Sequence, residues 1–372
     1  MALFHDVVIV GGGVVGAACA RELAGTGRSV LVLDPDDRPG AAWRASAGLL
    51  APQIDANIDA NEDDPLFELG IAGREYYRDH AGELAEQGGI DIGLFDGGIL
   101  RIAEGDPEVV RLKASVAWQR QHGHRTEWLD PAEVASEFPW VGRTDGALWA
   151  PQDGSVCAVD LVEALRASAV RRGATFMAVA ATGLIRQQGR LTGVRTEQGE
   201  HPAGSVVLAA GAWTGRLTEL PRPVSVEPVR GQMIAKPWPA GIPPAIVYGT
   251  AGYVLERDGE AWCGATMEHA EFAAETTEAG VRQITEACNR IVPGLAPLPT
   301  RRAWAGLRPG TPDGLPILGA EPTTPNLWYA TGFGRNGILL AGITAVALKH
   351  LMDGEATFEG IESLRPERYW SR

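Results

Sequence analysis

Cysteine is scarce in this sequence, and its spacing excludes several classes of protein. Only four of the 372 residues are cysteines, and no CxxC pair occurs; they are Cys19, Cys157, Cys263 and Cys288. This spacing supports neither a zinc knuckle nor a disulfide framework. The seven histidines are dispersed, and there is no HExxH motif or spaced cluster of acids. We therefore expect reduced thiols, a cytoplasmic protein and no bound metal.

Excess basic charge and long apolar runs are also missing. The chain has 33 Lys and Arg residues against 47 Asp and Glu residues, which gives a formal net charge of −14. An acidic protein repels phosphate backbones, so we expect no nucleic-acid partner. Glycine or charge interrupts every apolar run before the ~18 residues of a membrane span, and no basic segment precedes an apolar core at the N-terminus. The sequence thus predicts no membrane span and no secretory signal.

The composition and the strand pattern predict an α/β protein of two domains. Hydrophobic residues make up 45% of the chain and charged residues 22%, as in ordinary globular proteins. Short, wholly apolar strands, typical of a parallel sheet covered by helices, lie near the start, the middle and the end, with alternating segments between them. We predict a discontinuous Rossmann-like dinucleotide-binding domain (1–80, 150–220 and 300–372) interleaved with an antiparallel-sheet substrate-binding domain (81–149 and 221–299).

The individual elements follow from apolar spacing and from turn residues. A βαβ unit opens the chain, and Asp258-Gly259 predicts a hairpin turn. Asp160 is a candidate cap for a helix that runs to Arg172. The other predicted strands are 6–10, 29–33, 205–210 and 327–330. The other predicted helices are 17–23, 66–77, 109–121 and 338–352.

A glycine motif near the N-terminus predicts a dinucleotide site. Gly11, Gly13 and Gly16 form GxGxxG between a predicted strand and a predicted helix. The first glycine permits a tight turn, the second lets backbone approach a pyrophosphate, and the third lets the helix pack close to the sheet. Asp34 ends the next strand 18 residues beyond Gly16, where a carboxylate accepts hydrogen bonds from a ribose. The pattern disfavours NADP but by itself leaves FAD and NAD both open.

Two further segments favour a flavin. Residues 44–50 are mostly small and form either an ordinary loop or a path close to a flat ring system. Residues 331–340, TGFGRNGILL, place three glycines before a predicted helix. This segment is either a short connection or a second anion site at a helix N-terminus. A reduced flavin, with negative charge over N1 and the C2 carbonyl, would supply the anion.

Four residues are candidates for substrate binding. Arg308 precedes a Pro-Gly turn and is either a surface ion pair or a bidentate clamp for a substrate carboxylate. Tyr253, on the predicted hairpin, is either a core residue or a second donor to that carboxylate. Arg335 lies in the second glycine turn, and Met267 is either a pocket wall or core. We interpret the acidic stretch 55–64 as a solvated loop.

The order of these motifs resembles that of a known family. The glycine motif with Asp34, the segments SAGLL (46–50), VEPVRGQM (226–233) and WAGLRPG (304–310), and RNGILL (335–340) succeed one another as in FAD-dependent amine oxidoreductases. That superfamily includes D-amino-acid oxidase and sarcosine oxidase. Within it, the chain is most similar to the glycine oxidases of bacterial thiamine synthesis, over nearly its whole length.

The resemblance implies the cofactor, the assembly and the roles of particular residues. It implies FAD, no catalytic metal and a homotetramer, with Arg308, Tyr253 and Arg335 next to the substrate. Gly306 lies where sarcosine oxidases have a flavin-linking cysteine, so the FAD is expected to be noncovalent. From the motif and the resemblance together, the expected FAD contacts are Gly11, Gly13, Val14, Val15, Gly16, Asp34, Ala42, Trp43, Ala47, Gly48, Leu49, Thr182, Gly211, Phe333, Gly334, Arg335, Asn336, Gly337, Ile338 and Leu339.

Two pairs of residues depart from the family pattern and bear on the shape of the pocket. Ala42 and Trp43 stand where glycine oxidases often carry hydroxyl residues next to the pyrophosphate, and Phe333 and Gly334 stand where a His-Phe pair can precede the Arg-Asn-Gly turn. These departures leave the preferred amine open.

The resulting hypothesis is the oxidation of glycine or another small amino acid. Arg308 and Tyr253 would hold the carboxylate while a hydride passes from the α-carbon to flavin N5, and no protein base is needed. The imine would hydrolyse to a keto acid, glyoxylate from glycine, and ammonia, and O2 would become H2O2. The alternatives are a D-amino-acid or sarcosine-type dehydrogenase with another acceptor, a non-catalytic flavoprotein subunit, and an NAD-binding module.

Overall fold

The structure is a computed structural model, and it describes residues 3–56, 64, 66–188 and 190–370. Over these residues the chain forms nine α-helices and eighteen β-strands. The helices are α1 (Val14–Ala24), α2 (Ala42–Ala45), α3 (Pro52–Asp55), α4 (Phe67–Gly88), α5 (Asp106–Gln121), α6 (Pro131–Glu137), α7 (Ala158–Arg171), α8 (Glu278–Ile291) and α9 (Gly337–Asp353). None of the helices in this part of the chain is long and apolar enough to cross a membrane.

The first sheet is parallel at its centre and has eight strands among the described residues. They are β1 (His5–Val10), β2 (Val30–Asp34), β8 (Thr175–Ala178), β9 (Ala181–Gln187), β10 (Arg190–Thr196), β11 (Gly199–Leu208), β17 (Ile317–Glu321) and β18 (Thr324–Thr331). The order is β17-β18-β11-β1-β2-β8, with β17 antiparallel and the hairpin β9–β10 attached to β11. Helices α1, α4, α7 and α9 pack together in a buried apolar cluster with this sheet, because its central strands contain buried apolar runs, at 7–10 in β1, 30–33 in β2 and 206–208 in β11.

The second sheet is antiparallel except for one pair of strands. Its strands are β4 (Ile99–Ile102), β5 (Glu127–Leu129), β6 (Ala147–Ala150), β12 (Glu227–Pro237), β13 (Ile246–Gly249), β14 (Gly252–Arg257), β15 (Glu260–Gly264) and β16 (Arg302–Gly310). The order is β16-β12-β15-β14-β13-β4-β6-β5, in which β13 and β4 are parallel. A two-stranded ladder joins β3 (Leu49–Leu50) to β7 (Gly154–Ser155).

The predicted α/β class is confirmed, and so is the hairpin at Asp258-Gly259. There Arg257 pairs with Glu260, and both turn residues have positive φ, as a two-residue hairpin loop requires. The predicted cap at Asp160 is wrong: α7 begins at Ala158, so Asp160 lies inside the first turn of the helix.

Two features of the fold cross the predicted domain boundaries. Strand β16 pairs along its length with β12, so the second sheet extends past the boundary that we place at 300. Helix α4 runs through the boundary at 80 without a break. The region around the predicted helices 66–77 and 109–121, in which we predict no strand, also contributes β4 and β5 to the second sheet, because tertiary pairing overrides a weak local pattern.

Candidate active site

A cavity of about 930 Å³ lies between the two sheets. On one side are the carboxyl ends of β1, β2, β11 and β18, where ligands of open α/β sheets bind. On the other side are residues of β12, β13, β14 and β16. The N-termini of α1 and α9 also reach the cavity.

The glycine motif forms the turn between β1 and α1. Gly11 has φ +101°, and a Cβ there would lie 2.4 Å from the Ala209 carbonyl oxygen. Gly13 is the N-cap of α1 and lines the cavity. Gly16 does not line it: a Cβ at Gly16 would lie 1.9 Å from the Gly11 oxygen, so this glycine allows the helix to approach the turn.

Asp34 is held at this turn by hydrogen bonds. Its carboxylate accepts the N–H of Gly12 at 2.6 Å and that of Asp36 at 2.9 Å. Arg166 lies 3.3 Å from the same carboxylate and donates to the Gly12 carbonyl at 2.8 Å. Asp34 also lines the cavity, so these protein hydrogen bonds hold its carboxylate beside the glycine turn.

Small residues around α2 let the chain pass close to neighbouring backbone. Trp43 packs against Gly13, whose Cβ would lie 3.2 Å from the indole ring. Gly48 has φ +74°, and a Cβ there would meet the Val156 carbonyl oxygen at 1.8 Å. The local reason for Gly48 is therefore this backbone contact. The residues of this segment named in the sequence analysis that line the cavity are Ala42, Trp43, Ala47, Gly48 and Leu49.

The second glycine turn joins β18 to α9 and is fixed to the strand that bears Arg308. The Gly334 N–H donates to the Pro309 carbonyl at 2.8 Å, and the Tyr77 hydroxyl donates to the Ile338 carbonyl at 2.7 Å. The turn residues that line the cavity are Phe333, Gly334, Arg335, Asn336, Gly337, Ile338 and Leu339. Thr182, near the start of β9, and Gly211, after the end of β11, line it as well.

Arg308 lies in β16 with its guanidinium above Gly231 of β12. A Cβ on Gly231 would lie 2.1 Å from Nη1, so only glycine leaves room for the guanidinium. Nη1 donates to the Thr266 carbonyl at 3.0 Å, and no acid among the described residues forms an ion pair with Arg308. Burial lowers the pKa of Arg308, and the nearby charge of Arg335 lowers it further. The cavity thus contains a desolvated cation without a counter-ion.

Two tyrosines form an aromatic wall next to this cation. Tyr253 in β14 lies opposite Tyr248 in β13, and the ring centroids are 5.2 Å apart. Gly264 leaves space for Tyr253, because a Cβ on Gly264 would lie 2.7 Å from the hydroxyl. Burial raises the pKa of Tyr253 to about 12, while Arg308 opposes this shift. The phenol therefore keeps its proton at neutral pH and is a hydrogen-bond donor.

Arg335 is paired with an acid that the sequence interpretation had placed in a solvated loop. Its side chain is 55% exposed, and Nη1 lies 3.2 Å from Oδ1 of Asp55, which is 20% exposed. Burial raises the pKa of Asp55, whereas Arg335 and Arg101 oppose this shift. Asp55 ends α3 and lines the cavity, so the interpretation is wrong at this residue; residues 57–63 lie outside the described residues.

Met267 lies at the edge of the cavity. Its side chain is 70% exposed and still lines the cavity, so its interpretation as core is wrong. With the exception of Gly16, every predicted cofactor or substrate residue therefore lines one cavity. The roles that we assign to these residues remain predictions.

Sequence reasoning did not find several cavity residues, which are Arg38, Asp55, Arg101, Trp213, Arg216 and Tyr248. The sequence offered a sign of Tyr248, because Tyr248 and Tyr253 stand on either side of the segment Gly249–Gly252. In the structure Gly249 pairs with Gly252, which places Tyr248 directly opposite Tyr253. The Asp55–Arg335 pair joins residues far apart in the sequence, and no local pattern indicates it.

The cavity suits a dinucleotide with a flavin ring. Neither α1 nor α9 has a side chain that caps its N-terminus. The N–H groups in the first turn of each helix therefore receive no hydrogen bond acceptor from a capping side chain. Such helix ends attract phosphates and the negative charge of a reduced flavin. No group of three or more His, Cys, Asp or Glu residues in the described part of the chain is arranged to hold a metal ion. The fold and the cavity are those expected of a dinucleotide-binding protein, and the cavity also contains the buried guanidinium of Arg308.

Comparison with known proteins gives the family. The family model described as FAD dependent oxidoreductase (DAO) matches residues 6–351. The chain therefore belongs to the DAO family of FAD-dependent oxidoreductases.

Individual relatives support this assignment over the whole chain. The chain is 32% identical over 358 residues to the glycine oxidase of Geobacillus kaustophilus, covering 95% of this chain and 94% of that protein. The crystal structure of glycine oxidase from the same organism superposes with a TM-score of 0.92 at 30% identity, covering 97% and 98% of the two chains. A "Bifunctional protein ThiO/ThiG" of Trichormus variabilis is 36% identical over 355 residues. The match covers 92% of this chain, which spans about half (52%) of that relative.

Proposed function

We propose that the chain oxidises glycine or another small amino acid to an imine, using noncovalent FAD. The observation that carries the proposal is Arg308, a cation that forms no ion pair with any acid of the described residues, next to the phenol of Tyr253 in the cavity that receives both glycine turns. A substrate carboxylate is the anion that such a pocket lacks.

The residues of the chain bind and orient the substrate. The guanidinium N–H groups of Arg308 that do not donate to the Thr266 carbonyl donate to the substrate carboxylate. The phenolic O–H of Tyr253 donates a hydrogen bond to the same carboxylate. The wall formed by Tyr248 and Tyr253 limits the room for a side chain on the α-carbon. Holding the substrate in one orientation supplies much of the rate for a reaction without a protein base.

The cofactor supplies the chemistry. FAD held in this cavity would supply the two-electron oxidation of the amino acid, in which the α-carbon loses a hydride and the amine loses a proton. Water would hydrolyse the imine to a keto acid (glyoxylate from glycine) and ammonia, and O2 would take up the two electrons and two protons as H2O2. The chain holds FAD through the turn at Gly11–Gly16, the carboxylate of Asp34 and the first turn of α9.

Noncovalent attachment of FAD is supported by the cavity walls. None of the cysteines or histidines in the described residues lines the cavity, and Gly306, on its wall, has no side chain to form a bond. Acid precipitation of the purified protein should therefore leave the yellow colour in the supernatant. A yellow pellet would contradict noncovalent binding.

We also propose a cytoplasmic homo-oligomer, a tetramer by resemblance, that serves the synthesis of the thiazole part of thiamine. The four cysteines are free and three of them are buried, as in reducing compartments. The similarity to a bifunctional ThiO/ThiG protein supports the pathway. Light scattering tests the oligomer, cell fractionation tests the compartment, and restored growth of a thiamine-requiring deletion strain tests the role.

A second candidate is a dehydrogenase or a flavoprotein subunit that passes electrons to an acceptor other than oxygen. It is favoured by a relative of 30% identity named "Hydrogen cyanide synthase subunit HcnC", which covers 94% of this chain.

Oxygen consumption and dye reduction, each measured with glycine, sarcosine and D-alanine, separate the two candidates. The proposed oxidase consumes oxygen with glycine and forms peroxide in equal amount. Reduction of the dye without consumption of oxygen supports the second candidate, and no response to any amino acid contradicts both.

A further inference from the structure

The distribution of charge around Arg308 has a consequence for substrate choice. Among the residues that the structure describes, three guanidinium groups line this part of the cavity, and two of them form ion pairs with acids. Arg101 lies 3.3 Å from Glu108, and Arg335 lies 3.2 Å from Asp55. Asp55 and Arg335 line the cavity themselves, so their ion pair is accessible to a ligand.

We propose that Asp55 is a specificity-determining residue, which occupies Arg335 and so excludes substrates that carry a second anionic group. The proposal rests on the proposed function, because it takes Arg308 as the anchor of the first carboxylate. With Asp55 ionised, Arg308, Arg335 and Asp55 together carry one net positive charge, which one substrate carboxylate neutralises. A second carboxylate must displace Asp55 from Arg335 and leave that acid unpaired in a half-buried position, which is costly.

Asp55 is held in place by a buried polar network. The Asp153 carboxylate accepts the N–H groups of Gln53 at 3.0 Å and Ile54 at 2.9 Å, the two residues that precede Asp55. Arg74 lies 2.9 Å from Asp153. From the other side, Arg101 donates to the Ile54 carbonyl at 2.6 Å. Helix α3 is therefore fixed from both sides, and its last carboxylate cannot easily move away from Arg335.

Removing the charge of Asp55 while keeping its shape should free Arg335. In Asp55→Asn the amide no longer neutralises the guanidinium, so Arg308 and Arg335 can bind two carboxylates of one ligand. A charge-assisted hydrogen bond gained at Arg335 corresponds to a gain in affinity of about tenfold or more.

The test measures binding and needs no turnover. The FAD-loaded enzyme is titrated with acetate and with the dicarboxylates malonate, succinate and glutarate, and the change in flavin absorbance gives each dissociation constant. We expect Asp55→Asn to raise the affinity for at least one dicarboxylate, relative to acetate, by about tenfold. The double variant Asp55→Asn/Arg335→Gln should lose this gain. The matched control is Asp353→Asn, which breaks a pair with Arg28 away from the cavity and should leave the ratio unchanged.

Other results overturn the proposal. If no dicarboxylate gains affinity relative to acetate, Asp55 does not exclude a second anion. If the gain persists in the double variant, the second carboxylate binds elsewhere than Arg335. A failure of the proposed function looks different, because wild-type enzyme that binds acetate but does not oxidise glycine leaves this comparison of affinities intact.

Discussion

Replacing Arg308 by leucine should destroy carboxylate binding without destabilising the fold. The guanidinium has no acidic partner among the described residues and makes one hydrogen bond to a carbonyl. Desolvation of this cation therefore lowers the stability of the ligand-free protein. When a ligand carboxylate is bound, loss of the guanidinium leaves that carboxylate buried and unpaired. Such losses cost about 2–5 kcal/mol, which corresponds to roughly 30-fold to several thousandfold in affinity.

Titration of the FAD-loaded protein with acetate, followed by flavin absorbance, measures this loss directly. Thermal unfolding of the same samples should show a stability within about 1 kcal/mol of the wild type, because only one ordinary hydrogen bond is lost. Arg302→Leu is the matched control: Arg302 lies on the same strand, is 49% exposed and pairs with Glu260 outside the cavity. If Arg308→Leu binds acetate within a factor of about two of wild type, the assignment of the anchor is wrong.

Three further predictions concern the glycine turn, the phenol and a buried acid. Gly16→Ala places a methyl group 1.9 Å from the Gly11 oxygen, so the purified variant should contain little FAD; a normal flavin-to-protein absorbance ratio would refute this. Tyr253→Phe removes one donor to the carboxylate and should weaken acetate binding by about three- to tenfold, with unchanged affinity as the contrary result. Burial raises the pKa of Asp153 from 3.8 to about 7, so between about pH 4 and pH 7 the folded protein keeps a proton that the unfolded chain releases. The stabilisation from this group is thus greatest at the acid end and declines as the pH rises through the window. Urea unfolding of the wild type and of Asp153→Asn across this range should show a smaller decline in the variant, and equal slopes would contradict the assignment.

Local pattern was sufficient for the dinucleotide-binding part of the fold. Three neighbouring parts of the sequence predict it: the strand before Gly11, the helix after Gly13 and the acid at the end of the second strand. Each has a steric or electrostatic role that can be inferred from a single sequence. The same is true of the hairpin at Asp258-Gly259, where two residues with positive φ determine the turn.

Contacts between distant segments could not be predicted in this way. Asp55 belongs to an acidic stretch whose composition predicts a solvated loop. In the fold, however, Nη1 of Arg335 lies 3.2 Å from Oδ1 of Asp55. Gly231 lies in a segment that carries the family resemblance and Gly264 lies in no motif, and neither local sequence shows that the glycine makes room for a site residue on the neighbouring strand. These requirements arise only once β12, β14, β15 and β16 are paired.

We infer that this cavity holds FAD and binds an amino acid by its carboxylate next to the flavin. The decisive experiment is the anaerobic addition of glycine to the purified yellow protein while the visible spectrum is recorded. We expect glycine to bleach the flavin absorbance of the wild type, and we expect Arg308→Leu to lose this bleaching at low glycine concentration. A spectrum that no amino acid changes, or equal bleaching in the two proteins, would contradict it.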